Sequence, residues 1–93
     1  MPLQIFRPGR TDSFPSRMKR ARNEGYLRGS REGRLFTLAV GESFKREQAL
    51  DWLDTVIEEG RAELDYQHAS EREVEAWDMS CRIAFFVEIA PRG

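Results

Sequence analysis

Ninety-three residues, 40% of them hydrophobic and ten of them aromatic, make one domain (1–93) with a single core, which excludes a disordered chain. One cysteine excludes an internal disulfide, and no stretch approaches the roughly 20 apolar residues needed to cross a bilayer. The net charge of −1 hides a split: residues 7–34 carry nine bases against three acids, residues 35–93 six bases against thirteen acids.

In chain order, Leu3 to Phe6 reads as a short extended segment ended by Pro8-Gly9. A short helix is predicted next, capped by Ser13 or Ser16, with Pro15 in its first turn and Gly25 just past its end. From Gly25 to Val40 the pattern predicts two strands around the loop Gly29 to Gly33, with Phe36, Leu38 and Val40 alternating onto one face. Helix is disfavoured there because each of the three glycines costs about 1 kcal/mol in a helix interior.

The strongest predicted element is an amphipathic helix from Ser43 or Lys45. Ala49, Leu50, Leu53, Val56 and Ile57 share one face, with Trp52 at its edge. Gly60 ends it, or it runs on to Leu64. Residues 61–76 stay open between helix and strand: Ala62, Leu64 and Tyr66 alternate with polar residues, yet Ser70-x-x-Glu73 is a capping-box pattern that would open a short helix bearing Val74 and Trp77. The stretch CRIAFFVEIA is apolar on both faces and predicts an interior strand. The expectation is a single α+β domain: a mostly antiparallel sheet of three to four strands, covered by the Lys45 helix and a short N-terminal helix.

The side chains that carry chemistry are scarce. His68 and Cys81 are the lone members of their types, so a Cys/His zinc site cannot come from one chain. As a nucleophile pair they lack a recognisable orienting group or oxyanion motif. The GSREG loop has no GxxxxGK[ST] pattern. The expectation is a non-enzymatic protein, without cofactor or metal, in the cytoplasm.

Charge is the functional clue. On a helical wheel, Glu47, Asp51, Asp54, Glu58 and Asp65 fall directly opposite the apolar stripe of their helix. Acids three, four and seven residues apart repel by a few tenths of a kcal/mol per pair, so helix stability does not explain the row. Glu71, Glu73, Glu75 and Asp78 extend the negative region. Such a row imitates the spaced phosphates of a nucleic acid and would suit the Lys/Arg site of a nucleic-acid-handling protein. The alternative surface is the Arg-rich segment 7–34, in which Arg17, Lys19, Arg20, Arg22, Arg28 and Arg31 would contact DNA or RNA phosphates. In size and charge layout, not in any motif, the chain resembles the small inhibitors that phages use against host nucleic-acid machinery, anti-CRISPR proteins among them. That resemblance implies a protein-binding inhibitor.

Overall fold

A computed structural model describes residues 14–91. Three helices account for most of them: α1 (Phe14–Val40), α2 (Arg46–Tyr66) and α3 (Glu71–Ile89). No strand occurs among the described residues, so the α+β expectation is overturned in favour of an all-helical bundle. The predicted N-terminal helix exists but runs through the supposed hairpin to Val40. CRIAFFVEIA forms the C-terminal half of α3, from Cys81 to Ile89, with Ala90 as its C-cap, and not an interior strand. Residues 61–66 finish α2, a turn follows, and α3 begins at Glu71. The extended segment Leu3 to Phe6 and the cap at Ser13 lie outside the described residues.

The glycines explain why α1 does not break. Ala21, Gly25, Gly29 and Gly33 recur every fourth residue and are all buried, forming a groove down one side of the helix. Into it fits the backbone of α3. A Cβ on Gly25 would strike the carbonyl oxygen of Trp77, and one on Gly29 the carbonyl oxygen of Cys81; a Cβ on Gly33 would stand 2.6 Å from Glu88 Cβ. Because 25 meets 77 and 29 meets 81, α1 and α3 run parallel, with rows of every fourth residue interlocked. The helix-propensity cost of the glycines, about 1 kcal/mol each, is offset by dispersion contacts that only their absent side chains permit.

Helix α2 returns antiparallel across this pair. Its inward face is the predicted one: Ala49, Leu53, Val56 and Ile57 are buried, Leu50 and Trp52 half-buried. Gly60 does not end the helix. It lies under the indole of Trp77, whose Cζ3 would be 2.7 Å from an added Cβ. Phe36 sits where all three helices meet, fully buried, edge-on to Phe44 (5.1 Å between centroids) and Trp52 (5.4 Å), and tilted against Phe85 (5.8 Å). The expected strand faces are therefore divided: of the alternating Phe36 and Leu38, Phe36 faces the core and Leu38 is exposed, and within CRIAFFVEIA Phe85 faces the core while Val87 is exposed.

The helix ends follow local chemistry. Gly41, at φ 94°, donates its N–H to the Thr37 carbonyl (2.9 Å) and closes α1 in a left-handed cap. Gln48 Oε1 accepts the Lys45 N–H (2.7 Å) at the start of α2. At its end, His68 adopts φ 62°; its N–H reaches the Asp65 carbonyl (3.0 Å) and that of Ala69 the Leu64 carbonyl (2.9 Å), a Schellman motif with histidine in the usual glycine place. The capping box is present as predicted: Ser70 Oγ accepts from the Glu73 N–H (3.2 Å) and Glu73 Oε1 from the Ser70 N–H (2.9 Å). Those hydrogen bonds, the Ser70 backbone one foremost, lower the Glu73 carboxyl from its ordinary value.

Candidate interaction surface

The charged residues sort themselves by helix. On α2, Glu47, Asp51, Asp54, Glu58 and Asp65 are all exposed, on the side turned away from Leu53 and Val56. Among the described residues none of the five has an ion-pair partner. Asp65 stands in the last turn, which contains no base, although the negative end of the helix macrodipole disfavours a carboxylate there.

The proposed extension of this region is corrected at two positions. Asp78 is buried rather than displayed: its Oδ2 accepts from Arg61 Nε (3.1 Å) and Nη2 (3.0 Å), and its Oδ1 from Arg82 Nε. Arg61 thereby ties α2 to α3. Glu73 is taken by the cap and by Arg17 Nε at 3.7 Å. Glu71 and Glu75 remain exposed.

All six bases of the alternative surface lie on α1, and they do not converge. Arg17 faces Glu73 on α3. Arg28 is half-buried, its Nε bonded to Glu32 Oε2 (3.3 Å) and its Nη2 to Glu59 Oε1 (3.4 Å) across to α2. Glu32 also accepts from Trp52 Nε1 (3.0 Å), so Arg28, Glu32 and Trp52 form a chain between α1 and α2. Arg20 lies near enough to Glu73 to act on its carboxyl. Lys19, Arg22 and Arg31 are exposed. Arg22 and Arg31, nine residues apart, fall on opposite sides of the helix, about 180° apart. The Arg-rich half thus partly neutralises acids of the other helices, but uses Glu59, Glu73 and Glu88 instead of the exposed row.

Cys81 and His68 are not brought together. The histidine is exposed in the α2–α3 turn, whereas Cys81 lies nearly three turns into α3, fully buried against Gly29. Burial pushes its thiol up to about 11, so the thiol rather than the reactive thiolate prevails at neutral pH. The folded protein is therefore expected to resist a thiol reagent such as DTNB at pH 7.5 and to react promptly once unfolded in guanidinium. Labelling at the unfolded rate in native buffer would contradict this burial. Among the described residues no three Asp, Glu, His or Cys side chains converge as metal ligands, and no helix is long and apolar enough to cross a membrane.

Sequence reading missed the exposed apolar residues on α3. Met79, Ile83, Phe86 and Val87 are 65%, 51%, 41% and 57% exposed. The signal for the last three was the two-faced apolar pattern of CRIAFFVEIA, read as a strand with two covered sides; Met79 lies just before it. The chain matches no family model, and no curated protein or solved structure is significantly similar to it.

Proposed function

We propose that the protein acts by binding, without catalysis or cofactor, and that the α2 carboxylate row occupies the Lys/Arg site of a nucleic-acid-handling protein. In this reading it is a small cytoplasmic inhibitor of the kind phages and mobile elements carry, comparable to anti-CRISPR proteins in size and charge layout. One observation carries the proposal: five carboxylates stand exposed on one helix face, with no ion-pair partner among the described residues, while the arginines of α1 engage other acids. Retaining them costs the helix a few tenths of a kcal/mol for each like-charged pair, and Asp65 also opposes the macrodipole. A surface kept against that cost suits a function outside the fold.

Glu47, Asp51, Asp54 and Glu58 are the acceptors expected to meet Arg or Lys of the partner, with Asp65 at the end of the row. The variant Glu47→Gln, Asp51→Asn, Asp54→Asn, Glu58→Gln should fold, since none of these side chains is buried. Its association with a partner recovered from host lysate at low salt should be slower by about tenfold or more, with weaker salt dependence, in surface-based kinetics. Unchanged kinetics in the folded variant would return the row to an ordinary solvated face. Retardation of DNA or RNA by the unmodified protein, relieved by substituting Arg17, Arg20 and Arg22, would instead favour direct nucleic-acid binding through α1.

A further inference from the structure

Exposed carboxylates steer association but add little affinity, because solvent screens them; tight interfaces rest on a desolvated apolar centre. The bundle carries such a centre beside the acidic row. Met79, Ile83 and Phe86 fall within about 60° of arc on α3, opposite the Cys81–Phe85 face that packs on α1, and Val87 widens the stripe. No described segment covers them.

The Arg61–Asp78–Arg82 contacts fix how the stripe lies relative to the row. On α2, Arg61 is three residues after Glu58 and four before Asp65, hence their neighbour on the helix surface. On α3, Arg82 is three residues after Met79 and four before Phe86. Both arginines bind Asp78. One seam of side chains therefore separates the α2 carboxylates from the α3 apolar stripe, and the two form adjoining parts of one surface.

We infer that this composite face receives a basic amphipathic helix of a partner protein, its apolar side chains on Met79, Ile83 and Phe86 and its Lys/Arg flank on Glu58 and the neighbouring acids. This rests on the acidic-row reading and adds to it the partner's shape and chemistry. Charge complementarity selects the occupant. A second copy docked through the same face would bring a second row of carboxylates against only the two seam arginines, and nucleic acid or an anionic lipid surface would meet the row's repulsion. A helix with Lys/Arg beside an apolar stripe satisfies both parts at once.

The test uses two synthetic peptides of about 20 residues, roughly five and a half helical turns. They share one composition: Leu at helical spacing beside Lys and Arg in one, the same residues scrambled in the other. Fluorescence anisotropy should show the patterned peptide binding about tenfold or more tighter. Met79→Gln with Ile83→Gln should erase that preference and leave weak, salt-sensitive binding of both peptides. Phe86 is left intact because its ring packs edge-on against Phe85 at 5.7 Å, and circular dichroism confirms that the variant is folded. The four-carboxylate variant should bind more slowly but still prefer the patterned peptide. Equal affinity for both peptides overturns the stripe and leaves the acidic reading standing. Unchanged binding by the carboxylate variant overturns the acidic reading instead. A dimer in sedimentation that Met79→Gln with Ile83→Gln dissociates would assign the stripe to a second copy and overturn the proposal.

Discussion

Phe36→Ala is expected to lose about 3–5 kcal/mol of folding stability, the range for deleting a buried phenylalanine. The side chain is fully buried and joins all three helices through Trp52 of α2, Phe85 of α3 and Phe44 in the α1–α2 connection. Its removal forfeits the transfer free energy of the ring and opens a cavity. Collapse is restricted, because Gly29 and Gly33 already hold α1 against α3 at backbone contact. Aromatic pair geometry adds about 0.5–1.5 kcal/mol per contact beyond the buried area. Domains of this size are typically stable by about 5–15 kcal/mol, so the variant should unfold at far lower denaturant. A shift equivalent to less than about 1 kcal/mol in guanidinium unfolding would show that the ring is not at the junction of the helices.

The second large effect has a sign opposite to intrinsic propensity. Gly29→Ala would stabilise an isolated helix by about 1 kcal/mol. Here it should destabilise the protein by about 1–3 kcal/mol or more, the usual cost of overpacking a tight core. The new methyl group would meet the Cys81 carbonyl oxygen, the carbonyl carbon at 2.9 Å and Ala84 Cβ at 3.0 Å. Most of these are backbone atoms and cannot rotate away, so α3 must move off α1. Gly25→Ala meets the Trp77 backbone in the same way. Arg31→Ala, exposed on the same helix, should stay within about 0.5 kcal/mol of the unmodified protein. Thermal and chemical unfolding of the three variants separates the two signs directly; a more stable Gly29→Ala protein would mean that the helices do not touch along the glycine groove.

Some of this architecture is legible in the residues themselves. The α2 pattern of Ala49, Leu53, Val56 and Ile57 has one dominant period over a long window, and the helix and its inward face follow from it. The Ser70–Glu73 capping box is equally local, since its donors and acceptors lie within four residues. The exposed row of five acids is set by the same α2 periodicity, because carboxylates opposite a buried stripe must face water. Helices α1 and α3 are different. Phe36, Leu38, Val40 and Ile83, Phe85, Val87, Ile89 alternate like strand residues, but every second-neighbour series also contains i, i+4 pairs. A short apolar run therefore fits either period. In the folded chain Phe85 and Ile89 turn inward while Ile83 and Val87 turn out, a division that alternation cannot express.

The glycines show the limit most sharply. Counted singly, Gly25, Gly29 and Gly33 oppose a helix; spaced by four on one face, they make the groove that lets α3 approach. Their local cost is written in the sequence, but its compensation depends on Trp77, Cys81 and Phe85, more than fifty residues away. Asp78 follows the same logic. Sequence position alone adds it to an acidic patch, whereas the meeting of α2 and α3 buries it between Arg61 and Arg82. Local sequence thus determined the α2 helix, its acidic face and the α3 cap, because those depend on residues within one or two turns. Tertiary structure decided that α1 and α3 are helices at all and which carboxylates remain exposed, because packing between residues distant in sequence outweighs propensities of about 1 kcal/mol per residue.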